Sequence, residues 1–198
     1  AALVEELDEG WDVATAIYHL PPPDPDPITG AYDVYLVKGV ATLADTFADH
    51  DTSFGGFDRR SAYSVLDVTV ADAKTTLDPD ATCRRSILLR SELYRAFVMR
   101  ASPAMDPGSA RAMTTYLARL SLPCAASLDL GASAFQGHPD FAVMDADTVP
   151  DALDAASFAR GAFLFHAWLD DTFGTTPGGF PVALLALTPT KSQTVAAR

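Results

Sequence analysis

Hydrophobic positions recur at two different spacings along the chain. Over Ala31–Gly39 and Ser61–Val70, β-branched and aromatic residues partly alternate with polar ones, which predicts two strands. From Asp78 onward, apolar residues recur every three or four positions, which predicts helices. Because strands come first and helices follow, we expect an α+β fold in which a small mixed sheet packs on a mainly helical layer.

The helical region is predicted to contain three long helices and a short one. Their expected bounds are Asp78 or Asp80 to Arg100, Ser109–Leu120, Asp154–Phe173 and Gly179–Leu187. Gly174 is expected to end the third of them in a left-handed conformation. The segment 124–151 between the second and third is a long loop, which is typical of a functional or packing loop. The polar, glycine-containing segment Asp45–Arg60 is predicted to be a loop, and Asp67 is expected to face solvent.

A single domain over residues 1–198 is expected, divided into four regions. These are an N-terminal helix at 1–20, a proline-rich linker at 21–30, a sheet region at 31–77 and the helical region at 78–198. The N-terminal helix is weakened by Gly10, and its expected apolar face comprises Leu3, Trp11, Ala14, Ile17 and Tyr18. The interleaved prolines of the linker make a calcium site at its two aspartates improbable.

The chain is acidic, with 14 Lys and Arg against 26 Asp and Glu and a net charge of −12. Nucleic acid and anionic membrane surfaces would be repelled, so we expect neither as a partner. No run of about 20 apolar residues predicts a membrane span. The chain starts at Ala1 without the pattern of a signal peptide, and we expect a mature form or a part of a longer protein.

The two cysteines, Cys83 and Cys124, flank the first two long helices. They are either two buried free thiols or a disulfide, and we favour the disulfide because neither cysteine belongs to a C-x-x-C motif or a Cys/His cluster. A bridge would close a loop of about 40 residues and stabilise the fold by roughly 4 kcal/mol. It would also indicate an extracytoplasmic protein, secreted, periplasmic or on the cell surface.

The segment "SELYR", Ser91–Arg95, lies in the most apolar predicted helix and resembles the H-E-x-x-H motif of zinc peptidases. "RAMTTYL", from Arg111, is similar to the "E-G-x-A-x-Y-L" stretch that supplies the third zinc ligand in the gluzincin metallopeptidases. The later run "FARGAFLFHAWLDDTFG" is similar to the "Y-A-x-G-x-x-F-x-x-W-L-x-x-x-Y-G" run that follows the zinc site in that group. The resemblance spans Ala31 to Leu187 and implies a zincin-like domain.

Three departures fall on the positions that hold zinc in the resembled family. Ser91 and Arg95 stand where the two histidines belong, and Arg111 stands where the glutamate belongs. Serine is a poor zinc ligand and a guanidinium cannot bind a cation, so no zinc or other cofactor is expected. We expect Glu92 to form an ion pair with an arginine where the metal would sit, although Glu92 and Arg95 are also spaced as an ordinary surface pair.

The resemblance therefore implies a catalytically inactive, metallopeptidase-like domain that binds a protein or peptide or serves in assembly. Such a domain could add an extended segment to a sheet edge as a strand. One alternative is an active metal-dependent hydrolase that uses His138 or His166 with carboxylates of the 138–154 loop. Another is a purely structural subunit of an extracellular assembly, for which a large apolar surface patch is typical.

Overall fold

The sheet has three strands, and its order places the last strand in the middle. The computed structural model describes residues 2–26, 28–40, 43–48, 61–71, 79–103, 105–143 and 155–187. The strands are β1 (Asp33–Val37), β2 (Ala44–Ala48) and β3 (Ala62–Asp67), in the order β1-β3-β2. β3 runs parallel to β1 and antiparallel to β2. The predicted α+β class and the small mixed sheet are therefore confirmed.

The helices of the described residues pack mainly on one another, and α3 makes the main contact with the sheet. They are α1 (Ala2–Asp12), α2 (Val68–Ala71), α3 (Pro79–Ala101), α4 (Pro107–Ser121), α5 (Ala132–Gln136), α6 (Ala155–Gly161), α7 (Phe163–Phe173) and α8 (Gly179–Leu187). Asp106 caps α4 by accepting a hydrogen bond from the Ser109 backbone N–H, and Pro107 follows at the first turn, where its missing N–H has no cost. The bounds predicted for α8 are confirmed.

The strand β2 overlaps the segment that was predicted to be a loop, and for residues 45–48 that prediction is wrong. The inward-facing residues of β2 include Thr46, whose hydroxyl is fully buried against α3. A polar residue on the buried face removes the alternation of apolar and polar residues by which a strand is recognised. Residues 49–60 of the predicted loop lie outside the described part of the chain.

Asp67 ends β3 earlier than predicted, and the expectation that it faces solvent is wrong. Its carboxylate accepts hydrogen bonds from the backbone N–H groups of Gly39 at 2.6 Å and Val40 at 3.0 Å, and from both the hydroxyl and the N–H of Thr69. The bonds from Thr69 contribute most to holding the pKa of Asp67 below its usual value. The chain then turns into α2 instead of continuing the strand to Val70.

The long helix α3 is buried along most of its length and forms the centre of the fold. α1 crosses it at Gly10, where an added Cβ would lie 3.1 Å from the Leu93 side chain. The glycine that weakens the helix locally thus allows this close approach. Glu6 and Glu9 of α1 both bond to Arg90 of α3, which fixes the crossing.

α1 continues into a single π-helical turn, Val13–Ile17. Ile17, the last residue of that turn, is exposed although its spacing predicted an inward position. Ala14 and Tyr18 are buried as predicted, and the Tyr18 hydroxyl donates to the Leu117 carbonyl oxygen at 2.9 Å.

The helix predicted over Asp154–Phe173 is divided into α6 and α7, and the prediction of one continuous helix is wrong. Gly161 packs directly on the backbone of Gly131, whose carbonyl oxygen would lie 2.0 Å from an added Cβ. A helix can approach another backbone so closely only at glycine, and the helix breaks at this contact.

α7 ends at Gly174 in an extended conformation, with φ −74° and ψ 147°, so the predicted left-handed stop is wrong. The buried carboxylate of Asp170 accepts hydrogen bonds from the backbone N–H groups of Gly178 and Phe180 and from the Tyr116 hydroxyl. These bonds organise the turn into α8. Gly178 supplies the positive φ, 79°, that this turn requires.

The two cysteines form the favoured disulfide, and that prediction is confirmed. Cys83 in the first half of α3 is bonded to Cys124 in the 3₁₀ turn that follows α4, with a sequence separation of 41 residues. The bridge joins α3 to the segment leaving α4, beside the largest group of buried apolar side chains. No described helix combines the length and apolar character that a membrane crossing requires.

Replacing both cysteines by alanine is expected to lower the free energy of unfolding by about 4 kcal/mol, because the unfolded chain gains the entropy of an open loop of about 40 residues. Urea denaturation monitored by circular dichroism measures the change. Reductant should shift the midpoint of the wild-type protein and leave that of the double variant unchanged. An equal midpoint for wild type and variant in oxidising buffer would contradict the prediction.

Candidate functional site

Glu92 lies in the buried middle of α3, facing β2, and its side chain is only 1% exposed. Its Oε2 accepts a hydrogen bond from Arg95 Nη1 at 2.7 Å and a longer one from the Thr46 hydroxyl at 3.2 Å. The interpretation of Glu92 and Arg95 as an ordinary surface pair is therefore wrong. The expected ion pair of Glu92 with an arginine is present, whereas its relation to a metal position stays a prediction.

A chain of hydroxyl groups leads away from Glu92 through the sheet. Thr46 Oγ1 lies 2.8 Å from the Glu92 carbonyl oxygen and 2.9 Å from Ser64 Oγ, and Ser64 lies 2.6 Å from the Tyr32 hydroxyl. Each hydroxyl has one proton to donate, so a donation from Thr46 to Glu92 leaves Ser64 to donate to Thr46 and Tyr32 to donate to Ser64. Burial raises the pKa of Tyr32.

Asp45, next to Thr46 on β2, joins Glu92 to a second arginine. Its Oδ1 accepts hydrogen bonds from Arg95 and, at 3.0 Å, from Nη2 of Arg111 on α4. Asp45 is 24% exposed, so it lies at the solvent side of the cluster while Glu92 lies at its base. Arg95 is thus held between two carboxylates from two different elements.

The charges of the cluster stabilise one another against burial. Burial opposes the charge on Arg95, yet the carboxylates of Glu92 and Asp45 outweigh it and hold the pKa of Arg95 above its usual value. Burial likewise opposes the charge on Asp45, and the guanidinium groups of Arg95 and Arg111 reverse this effect, so the pKa of Asp45 lies below its usual value. Arg95 and Asp45 are therefore both charged at neutral pH.

A third arginine, Arg160 on α6, approaches Glu92 from the far side. Its Nη2 lies 3.9 Å from Glu92 Oε1, and Arg111 Nε lies 4.0 Å from the same oxygen. Within the described residues, Oε1 has no hydrogen-bond partner. We name Asp45, Glu92, Arg95, Arg111 and Arg160 the arginine–carboxylate cluster.

The structure thus brings together three of the four residues that the sequence singled out and separates the fourth. Ser91 is buried, and its hydroxyl donates to the Leu88 carbonyl oxygen at 3.0 Å, within α3. The sequence missed Asp45 and Arg160. Asp45 carried no signal because its segment was predicted to be a loop, and Arg160 lies in the run that resembles a family helix, a resemblance that gave Arg160 no role.

The histidines of the alternative hydrolase site are apart from this cluster. His138 lies beside Phe141, with ring centroids 5.9 Å apart, and His166 is buried on α7. Within the described residues, no group of three or more His, Cys, Asp or Glu side chains could hold a metal ion. The carboxylates at 145, 147, 151 and 154 lie outside those residues.

Comparison with known proteins gives no relative: no protein-family model, no curated protein and no solved structure matches the chain.

Substituting Glu92 by glutamine is expected to lower the free energy of unfolding by about 3 kcal/mol, because it removes one charge of a buried pair and leaves Arg95 under-compensated. The matched variant Asp45→Asn removes a charge that is partly exposed, and it should cost only about 1 kcal/mol. Urea denaturation at pH 7 measures both.

A double variant tests whether the loss comes from the ion pair. In Glu92→Gln with Arg95→Met, both charges of the closest pair are removed together, so the loss should be smaller than the sum of the two single losses. Additive losses, or a Glu92→Gln loss no larger than that of Asp45→Asn, would contradict the structural role assigned to Glu92.

His166 is the buried titratable group with the clearest consequence for pH dependence. Burial lowers its pKa to about 4, against 6.5 for an exposed histidine, and a hydrogen bond to the backbone of Ser109 opposes this shift only in part. Within the described residues its Nδ1 has no hydrogen-bond partner. The folded state therefore favours the neutral imidazole.

Stability should fall as the pH decreases from about 6.5 to about 4, since the unfolded chain binds the His166 proton in this range and the folded chain does not. The full loss is about 3 kcal/mol, at roughly 1.4 kcal/mol for each pH unit of pKa difference. The variant His166→Gln should remove this loss, whereas His19→Gln, at an exposed position, should retain it. An unchanged pH dependence in His166→Gln, followed by urea denaturation across this range, would contradict the assignment.

Proposed function

We propose that the chain is a non-catalytic, zincin-like module whose role is to bind or assemble with a protein or peptide. The observation that carries this proposal is the arginine–carboxylate cluster around Glu92. At the positions that supply zinc ligands in the resembled family, this chain places two guanidinium groups, Arg95 and Arg111, which converge on the same carboxylate of Asp45. The positive charge at these positions is thus supplied by arginine side chains, where the resembled family uses a metal ion.

The contacts of Glu92 also argue against a role as general base. A base must reach a water molecule or a substrate proton with a free carboxylate oxygen. Oε2 of Glu92 already accepts hydrogen bonds from Arg95 and Thr46, and Oε1 is buried within 4.0 Å of two guanidinium groups. The residue that would activate water in a peptidase thus acts as a structural counter-ion.

An extracytoplasmic location belongs to the same proposal. The disulfide between Cys83 and Cys124 supports it, since such bonds persist in oxidising compartments. The acidic charge, −12, supports a protein or peptide partner over nucleic acid.

A structural subunit of a larger assembly is a second candidate, and an exposed aromatic row supports it. Phe165, Trp168 and Phe173 all lie exposed along α7, with ring centroids 6.1 Å apart between successive members. Aromatic rings exposed in a row are typical of a surface that another protein covers. Self-association or capture by a partner that is lost on Trp168→Ser would favour this candidate.

Restoring the family's ligands tests the non-catalytic proposal. The triple variant Ser91→His, Arg95→His and Arg111→Glu should gain zinc at one ion per chain in native mass spectrometry, while the wild-type protein purified from zinc-containing medium should hold none. Wild-type protein should also leave a mixture of unstructured peptides intact. Peptide cleavage by the wild type that stops when chelator is added would overturn the proposal.

A matched variant tests whether a gain of zinc depends on the complete set of restored ligands. Ser91→His with Arg95→Lys and Arg111→Lys alters the same three positions but cannot complete a zinc site, so it should gain no zinc. If the triple variant stays folded by circular dichroism and still binds no more zinc than this control, the zincin-like origin is wrong.

A further inference from the structure

A groove with a volume of about 320 Å³ lies between α1 and β1, and we name it the α1–β1 groove. Side chains of α1 form one wall, and side chains of β1 and the residue before it form the other. The apolar residues of these walls include Leu3, Leu7, Trp11, Tyr32, Val34 and Leu36. Leu93 of α3 also lines the groove, so the central helix closes its base.

The size and the lining of the groove suit a small molecule. Volumes from about 300 to 1,000 Å³ with mainly apolar walls are typical of pockets that bind small ligands. Leu93 is 2% exposed, whereas Leu36 and Val4, which line the same groove, are 50% and 60% exposed. The groove therefore runs from solvent down to the core. An apolar body that filled it would remove this exposed surface from water, and it would do so through side-chain contacts alone.

The charge at the groove is negative. α1 carries five acidic residues and no Lys or Arg. Glu6 and Glu9 are bonded to Arg90, whereas Asp8, which lines the groove, is exposed and forms no ion pair within the described residues. No Lys, Arg or His belongs to the described lining. An anionic ligand such as a fatty acid would be repelled here, and a cationic ligand would be attracted.

Two aromatic rings in the lining favour the same sign of charge. Trp11 and Tyr32 both line the groove, with ring centroids 6.0 Å apart and ring planes inclined at 54°. The face of an aromatic ring attracts a cation, tryptophan most strongly, and quaternary ammonium groups are recognised by aromatic side chains in this way. The groove thus offers an ammonium group two aromatic rings and one unpaired carboxylate, beside walls that suit an apolar chain.

We propose that the α1–β1 groove is a binding site for a small apolar molecule that carries an ammonium group. The apolar body lies against the walls formed by Leu7, Val34 and Leu36, and the ammonium group lies at Asp8 and Trp11. This site is additional to the binding role proposed above and does not rest on it. No member of the arginine–carboxylate cluster belongs to the described lining of the groove.

Four probes test the ligand class by isothermal titration calorimetry with the full-length chain. Octyltrimethylammonium has the apolar chain and the positive charge, octanol has the chain alone, tetramethylammonium has the charge alone, and octanoate has the chain with a negative charge. Below the concentrations at which micelles form, octyltrimethylammonium should bind at one per chain with Kd below about 1 mM. The other three should bind about tenfold more weakly or not at all, and added salt should weaken only the binding of the cation.

Two variants and two matched controls locate the site. Leu36→Thr should weaken the binding of octyltrimethylammonium about fivefold by removing apolar contact, while Phe47→Thr, of similar exposure on β2, should leave it unchanged. Asp8→Asn should weaken it about fivefold at low salt and leave the binding of octanol unchanged. Asp171→Asn, which makes the same charge change on α7, should alter it less than twofold.

A reversal of charge preference tests the role of Asp8 directly. The variant Asp8→Lys should bind octanoate more tightly than octyltrimethylammonium, which is the opposite of the order expected for the wild type. Trp11 fluorescence provides a local measurement, because Trp11 is the one remaining tryptophan in a Trp168→Phe background. Its emission should change with the same midpoint as the calorimetric titration.

Three results would overturn the inference. Absence of heat with octyltrimethylammonium at 1 mM would exclude the site. Equal affinity of the wild type for octyltrimethylammonium and octanoate would show that the ligand class is wrong. Binding that is unchanged in both Leu36→Thr and Asp8→Asn, with each variant folded by circular dichroism, would show that the location is wrong.

Two other occupants of the groove are outcomes of the same experiments. A dimer in light scattering that Leu36→Thr disrupts would identify a second copy of the chain as the occupant. Sedimentation with phosphatidylcholine vesicles, without binding of free octyltrimethylammonium, would identify a membrane headgroup. Either result would overturn the proposal of a free small molecule. None of these results bears on the non-catalytic role, which the zinc and peptide-cleavage experiments test separately.

Discussion

The fold is built around one constraint: a carboxylate, Glu92, is buried at the middle of the central helix and must be neutralised there. A buried charge is tolerated only with a close and well-oriented counter-charge. Arg95 supplies it from the next turn of α3, and Asp45 of β2 binds Arg95 from the other side. The position of the sheet on α3 is therefore fixed by charge as well as by apolar packing.

The same constraint explains why β2 is polar on its buried face. Thr46 offers a hydroxyl to Glu92, and Asp45 offers a carboxylate to Arg95 and Arg111. Two further helices contribute arginines, Arg111 from α4 and Arg160 from α6, so the cluster joins the sheet to three helices. Under the function proposed above, these guanidinium groups replace the positive charge that a metal ion supplies in the resembled family.

The two sides of the sheet carry different side chains. At β2, the charged side chains bind one another and are largely buried. At β1, apolar side chains are exposed beside the acidic helix α1. The hydroxyl groups of Thr46, Ser64 and Tyr32 form a hydrogen-bonded path from one side to the other.

The sequence alone determined the class of fold and the elements whose apolar periodicity is strong, which are the α+β order, the middle of α3 and the whole of α8, and it favoured the disulfide between Cys83 and Cys124 that the structure shows. These depend on local spacing and composition, which are visible in one chain. Tertiary contacts decided the rest. β2 is a strand because its polar residues meet the charges of α3, α6 ends because Gly161 contacts Gly131, and Asp67 is buried because the backbone at Gly39 donates to it. Each of these depends on residues distant in sequence, whose approach no local pattern records.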